Sequence, residues 1–393
     1  MQMSIANFKK LPPFVHTDLR IVTPEYGSEL TDHIMHLEYL RRLQLLGTTP
    51  LQTFFQIKAI FHILESIGSA RIEGNRTTVI EYIDRKLENR PHNPDSFREI
   101  ENMERCLEFI DDNISERAID RAFVSEIHKR VVSGLTEEGS KLPGEYRKSP
   151  VEIRNSSLIP PPFLTVPSYV DELFRFIAQK DAPKYDLIKT ALAHHRFVWI
   201  HPFDNGNGRT VRLFTYAMMV KSGFNINLAR ILNPTAIFCY DREEYYAALS
   251  RADRGDDEGL LQWTAYMLKG LLRELEKTDK LADYDYLKRE ILAPTVDFSL
   301  EKNLLNETEA KILRLVIEKR EVANANIKAI FPGKAISDIS RMIRSLIEKN
   351  YLIPTEKNRR KYSINFRDNK LIRGVIHSLD KAGFLPGSLG GSI

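Results

Sequence analysis

The sequence predicts a mainly helical protein with a small β-containing module near its C-terminus, on three observations. Apolar residues recur at helical spacing through most of the first 277 residues. One long interruption, KLPGEYRKSPVEIRNSSLIPPPF, is rich in proline and alternates apolar with polar residues around Val151 and Ile153. Beyond residue 303, helical patterns lead into two extended arms around a basic tip.

Taken in order, ELTDHIMHLEYLRRLQLLG reads as a helix that stops at Gly47, and TFFQIKAIFHILESIGSARIEGN as one that ends in a polar turn. NPDSFREIENMERCLEFIDDNI starts near Pro94 and Asp95, and ERAIDRAFVSEIHKRVVSGL runs to Gly134. The proline-rich stretch reads as a short exposed hairpin, because proline cannot donate to a sheet ladder. Helices resume with VPSYVDELFRFIAQK, DLIKTALAHHRFVWI and RTVRLFTYAMMVKSG. DREEYYAALSRADRGD and GLLQWTAYMLKGLLRELEK complete the helical part. Residues 278–303 are charged and irregular in pattern and read as a linker. NETEAKILRLVIEKR then offers Asn306 as N-cap with Glu309 three residues on. NANIKAIF, a Pro332-Gly333 turn and the amphipathic AISDISRMIRSLIEKN follow, before the arms of YLIPTEKNRRKYSINF. Helix, helix, helix, hairpin is the order of a winged helix-turn-helix. The glycine-rich end, GFLPGSLGGSI, reads as loose.

Composition narrows the class. Of 393 residues, 42% are hydrophobic and 28% charged, the balance of a soluble globular chain. A net charge of +4 is too small to argue for nucleic acid by itself. Two cysteines far apart, Cys106 and Cys239, argue against a disulfide framework and for a reducing compartment. The first residues lack a signal-peptide core and no segment is long and apolar enough to span a membrane, so a cytoplasmic location without membrane partners is expected.

Chemistry concentrates in HPFDNGNGRTVR, His201 to Arg212, at a corner between two helical patterns. Gly206, Asn207 and Gly208 come immediately before the second helix, where glycine lets the backbone approach a ligand and turn N–H groups toward it. The helix start adds unpaired donors and the positive end of the dipole, a pairing suited to phosphate. Arg209 and Arg212 lie three apart on one helical face, and guanidinium groups bind phosphate oxygens in pairs. GxxxxGK[ST] is absent, so this is not a P-loop. His201 at the loop entrance has the residue type to take a proton from a hydroxyl near neutral pH. A base beside a polyphosphate cradle suggests transfer of a phosphorus-containing group to a hydroxyl. His194 and His195 sit within a helix without HExxH spacing and are expected to pack rather than ligate.

The segment resembles the Fic family motif HxFx[D/E]GNGRxxR, and the similarity extends from about Pro12 to Trp263. The resemblance implies an all-helical Fic fold with a β-hairpin flap, and transfer of AMP from ATP to a Ser, Thr or Tyr hydroxyl of a protein. It implies His201 as base, Phe203 as an inward anchor, Gly206, Asn207 and Gly208 as the anion hole, Arg209 on the β-phosphate and Arg212 on the γ-phosphate. The family's acidic Mg²⁺-holding position falls at Asn205, with Asp204 one place early, which implies weaker metal binding. SARIEGN resembles the family's [S/T]xxxE[G/N] inhibitory helix, so Ser69 and Glu73 would be inhibitory and Glu73 would pair with Arg212. Val151, Glu152, Ile153 and Arg154 correspond to the flap that docks a target segment, and Tyr245 and Tyr246 to a tyrosine pair lining the adenine pocket.

The expected division is an N-terminal helical region carrying the inhibitory segment (1–115), a core (116–277), the linker (278–303), the winged helix (304–368) and a tail (369–393). ATP and Mg²⁺ are the expected small-molecule partners, with a target protein or the chain itself as acceptor. A homodimer follows from the resemblance alone. Three other readings stay open: AMP removal at the same site, transfer of a different group, and a DNA-binding regulator whose core senses nucleotide. The winged helix would then use Arg341 and Arg344 on its second long helix and Lys357, Arg359, Arg360 and Lys361 on its wing, although such modules also dock proteins.

Overall fold

Leu51–Ile72 is apolar on every side, and a helix with that pattern has to be enclosed by others. In the computed structural model, 17 of its 22 residues are buried. The model describes residues 16–42, 47–88, 94–153, 156, 158–224, 231–356, 358–386 and 389. These form two units, one of residues 16–41, 105–223 and 241–272, the other of 42–104, 224–240 and 273–389. The fold is mainly helical, as the periodicity predicts, with one small sheet among the described residues.

The first unit is built around Asp186–Ile200 and Asn207–Lys221, consecutive helices that pack on each other. Arg121–Val131 and Val166–Ala178 pack against this pair. Asp120 starts the former by accepting from the N–H of Phe123, an N-cap that satisfies an otherwise unpaired donor. Phe197, Trp199, Ile200, Phe203, Val211 and Phe214 share one core. The two helices therefore meet through their apolar faces, and the loop between them is pinned at the core's edge. The expected hairpin is not found: Val151–Ile153 form no strand among the described residues, and Arg154 lies outside them. Pro150 and Pro160–Pro162 remove the donors a ladder would need at both ends.

In the second unit, Leu51–Ile72 runs so close to Pro234–Tyr240 that a Cβ on Gly68 would lie 2.9 Å from the sulfur of Cys239. The buried Glu65 carboxylate caps the shorter helix, accepting from the N–H and hydroxyl of Thr235. Glu104 accepts from the Tyr82 hydroxyl and pairs with Lys86. Residues 306–364 supply the helix Glu307–Lys319, strand β1 (Val322–Ala323), helices Asn324–Ile330 and Ile336–Glu348, and strands β2 (Leu352–Pro354) and β3 (Lys361–Ile364). Both pairings are antiparallel, in the order β1-β3-β2, with Val322 opposite Tyr362 and Leu352 opposite Ile364. Asn306 and Glu309 form the expected reciprocal capping box.

Two expectations fail here. The supposed linker is a run of helical turns, Asp279–Ala282, Tyr284–Leu287, a π-helical Lys288–Leu292 and Ala293–Glu301. Leu281, Tyr284, Leu287, Ile291 and Val296 are buried at three- to five-residue spacing, while the charges between them face out. The supposed tail contains a helix, Leu371–Lys381, whose Leu371, Ile372, Val375, Ile376 and Leu379 are buried, and Phe384, Leu385 and Leu389 follow them into the core. This helix packs on Ala293–Glu301 at Gly374, where a Cβ would sit 2.8 Å from the Thr295 carbonyl oxygen. Gly374→Ala should therefore lower stability by about 1–3 kcal/mol. Gly333→Ala, in open space, is the control and should be near neutral. Equal denaturant midpoints for the two variants would show that the terminal helix is not held there.

Candidate active site

Asp186–Ile200 ends because His201 adopts a left-handed conformation, φ 50° and ψ 61°, uncommon for a residue with a Cβ. Gly206, at φ 74°, is the second left-handed residue and the N-cap of Asn207–Lys221. Between them the chain reverses direction. Only glycine suits the second position, since a Cβ would also meet the Val132 side chain at 2.9 Å.

The loop is held from inside through its carbonyl groups. Arg147 donates from Nε to His201 O (2.9 Å) and from its backbone N–H to Pro202 O (2.9 Å). The same guanidinium reaches the carbonyls of Ser149 and Pro161. Asn207 grips Phe203 twice, its Oδ1 accepting from the N–H and its Nδ2 donating to the carbonyl, each at 2.9 Å. His128 Nδ1 accepts from Gly144 N–H (2.9 Å), so the ring proton is on Nε2, which donates to Asn205 O (3.0 Å). The imidazole also stacks on Phe203 with centroids 3.7 Å apart. Burial pushes the His128 pKa down to about 4, which keeps the ring neutral.

His201 itself is half-buried, and its Nδ1 lies 3.3 Å from the Val198 carbonyl. A carbonyl only accepts, so Nδ1 carries the proton and Nε2 is the basic nitrogen. The N–H groups of Asn207, Gly208 and Arg209 lie in the first helical turn, ahead of any intrahelical acceptor. Arg209 and Arg212 are each 1% exposed, and Arg209 donates to the Glu138 carbonyl. The structure thus brings His201, Gly206, Asn207, Gly208, Arg209 and Arg212 into one corner. The Asn207 side chain braces the loop, so only its backbone faces a ligand.

Other expected residues fall elsewhere. Tyr245 is 2% exposed and part of the core. Thr215 donates its hydroxyl to Val211 O, so His194 Nδ1–H donates to Thr215 and His194 Nε2 accepts from the Tyr245 hydroxyl. Tyr245 is thereby engaged in the core, while Tyr246 beside it is only half-buried. His194 and His195 are core residues as expected, His195 pairing with Asp253. Ser69 is fully buried and Glu73 caps the C-terminus of Leu51–Ile72, both in the second unit.

The donor set does not fit a protein-built metal centre. Asn205 Oδ1 accepts from Gly206 N–H at 2.7 Å, and its Nδ2 donates to Gly139 O. The Asp204 carboxylate accepts from the Ser140 hydroxyl and the Lys141 N–H. Among the described residues no three His, Cys, Asp or Glu side chains come together.

His128 and Arg147 escaped the sequence reading. Both lie far from the motif in the chain, and the only local sign was a polar residue on the apolar face of Arg121–Val131. Because the folded pKa of His128 lies below the unfolded value near 6.5, the unfolded chain binds the proton first. The stability held by the neutral ring is complete above about pH 6.5 and is lost as pH falls toward 4. Between pH 7 and pH 5 the loss should be about 2 kcal/mol, and His128→Gln should remove that part of the slope. Imidazole nitrogen NMR showing a protonated His128 at pH 5.5 would contradict this.

Residues 118–219 match the Fic/DOC family. A protein adenylyltransferase Fic of Nematostella vectensis is 26% identical over 225 residues, 56% of this chain and 49% of that protein. The protein adenylyltransferase fic-1 of Caenorhabditis elegans is 25% identical over 240 residues, 60% of this chain and 42% of that protein. The chain thus spans about half the length of the curated relatives it matches. Among solved structures, a Fic family protein from Desulfovibrio desulfuricans G20 superposes with a TM-score of 0.51 at 18% identity, over 86% of this chain and 94% of that one. C. elegans Fic-1 (residues 134–508) gives 0.50 at 22% identity, over 63% and 71%. A reversed loop with its carbonyls gripped from within, an imidazole poised at its entrance, and this company of relatives lead to one conclusion: the chain carries a Fic/DOC family domain.

Proposed function

We propose that the protein is an adenylyltransferase that moves AMP from ATP to a hydroxyl of a protein side chain. The observation that carries this is the arrangement of one corner: a half-buried His201 whose Nδ1 faces Val198 O, beside a helix N-terminus and two buried arginines. The names of the relatives support the same chemistry. In this reading Nε2 takes the proton of an incoming hydroxyl, and the oxygen attacks the α-phosphorus. A P–O bond forms, the α–β bridging P–O bond breaks, and pyrophosphate leaves. The first-turn N–H groups of Asn207, Gly208 and Arg209 and the guanidinium groups of Arg209 and Arg212 neutralise the phosphates, fixed donors that need no reorganisation in the transition state, while Gly206 shapes the turn with its own N–H held by Asn205. ATP arrives with the Mg²⁺ that accompanies it, and no protein ligand is assigned to that ion.

Control belongs to the same proposal. Glu73 would occupy Arg212 and leave the γ-phosphate unheld; the SARIEGN pattern supports this. Val151, Glu152, Ile153 and Arg154 would dock the acceptor segment as an added strand. Val151–Ile153 have no ladder of their own among the described residues, which supports this reading. The acceptor includes the chain itself, and the working form would be a cytoplasmic homodimer. The helix–strand–helix–helix–hairpin order of residues 306–364 supports a winged-helix reading of the C-terminal module.

With ATP labelled at the α-phosphate, the full chain should retain label on protein, and Glu73→Gly should raise incorporation by about tenfold or more. His201→Ala should lower it roughly 10²–10⁴-fold. Label retained only from γ-labelled ATP would replace adenylyl transfer with phosphoryl transfer. Equal incorporation in Glu73→Gly and the parent chain would remove the inhibitory role.

A further inference from the structure

The excess positive charge of this chain is not spread over it. Residues 334–361 hold eight Lys or Arg against three Asp or Glu, a net +5, whereas the whole chain is only +4. Two of the eight are neutralised by acids outside that stretch: Lys349 pairs with Glu309 and Lys361 with Glu321. Of the rest, Arg341 and Arg344 lie on one helix face and Arg359 and Arg360 at one hairpin tip.

Ile336–Glu348 buries Ile339, Ile343 and Leu346 and turns its opposite face to solvent. That face carries Ile336 at 72% exposed, Ser337, Arg341 at 78% exposed, and Arg344. Arg341 meets only the Asp338 carboxylate, at 3.5 Å, whose other oxygen caps Ala335 N–H. At the tip between β2 and β3, Arg359 and Arg360 are exposed. Among the described residues, the side chains of Arg344, Arg359 and Arg360 make no ion pair. Unpaired guanidinium groups on rigid elements repel one another and contribute little to the fold, so their placement asks for an anionic partner.

We propose that the face formed by Ile336–Glu348 and the β2–β3 tip binds duplex DNA, with the helix in the major groove and the tip arginines on flanking phosphates. A helix with side chains is about 10–12 Å across and the B-form major groove about 12 Å wide. Arg341 and Arg344 are three apart and project on one side, as neutralising successive phosphates or reaching a guanine edge requires. Ser337 is short enough to admit the groove wall, and Ile336 offers an apolar contact of the kind a thymine methyl takes. Two isoleucines at the ends of the helix, Ile336 and the less exposed Ile347, are too little apolar surface for membrane insertion, which needs a continuous apolar stripe. An RNA duplex is disfavoured because its major groove is too narrow for a helix. The proposal is independent of the adenylyl-transfer reading.

The test is fluorescence anisotropy of the full chain with a labelled mixed-sequence DNA duplex of about 24 base pairs, at salt from about 50 to 200 mM. With four arginines on phosphates, log K should fall against log salt with a slope near −4, roughly a 10²-fold loss over that range. Arg341→Gln with Arg344→Gln should weaken binding at least about tenfold and flatten the slope by about 2, with an unchanged melting midpoint because both side chains are exposed. The pair Lys349→Gln with Lys361→Gln, already neutralised in the fold, should matter much less. An absence of binding at the lowest salt, binding indifferent to the Arg341 and Arg344 changes, or an RNA duplex bound as tightly as DNA would each overturn the proposal.

Discussion

The loop between Asp186–Ile200 and Asn207–Lys221 rests on one constraint: its carbonyl oxygens are occupied from within. Of residues 201–206, five have their carbonyls taken from within: His201 and Pro202 by Arg147, Phe203 by Asn207, Asn205 by His128 and Gly206 by Thr210. A buried carbonyl without a partner would cost as much as a lost hydrogen bond, so these donors set the loop's conformation rather than decorate it. The two left-handed residues at its ends let the chain reverse between one helix and the next.

Three of these donors, Arg147 Nε, Asn207 Nδ2 and His128 Nε2, belong to buried polar side chains, where exchange with water is suppressed and the hydrogen bond has one available geometry. His128 is neutral because burial disfavours its cation, and that neutrality lets a single ring accept from Gly144 while donating to Asn205. His194 uses the opposite tautomer between Thr215 and Tyr245 and is likewise held neutral by burial and by the nearby Arg212 charge. His201 differs in place: it is half-buried at the loop entrance, with Nδ1 facing the Val198 carbonyl.

The second unit shows how charge can hide a core. Between residues 278 and 303 the acidic and basic residues give a solvated appearance, yet Leu281, Tyr284, Leu287, Ile291 and Val296 form a continuous buried edge. The turns there are irregular, one of them π-helical, so no single period runs long enough to stand out in a sequence window. The final helix lies in the stretch read as a tail, and at Gly374 the absent side chain is what allows two helices to touch.

Much was decided by local chemistry and was legible in the chain itself. Helix periodicity, the Asn306–Glu309 capping box, and the grouping of one histidine, two glycines and two arginines within a dozen residues all act over less than four helical turns, so neighbours in sequence suffice to determine them. Tertiary structure alone decided the rest: which nitrogen of His201 is basic, that Asn207 braces rather than binds, that Tyr245 belongs to the core, and that His128 and Arg147 hold the loop. These depend on which acceptor lies within hydrogen-bond reach of which donor, and the partners are up to 77 residues apart, as His128 and Asn205 are. No pattern along the chain encodes that distance; only packing sets it.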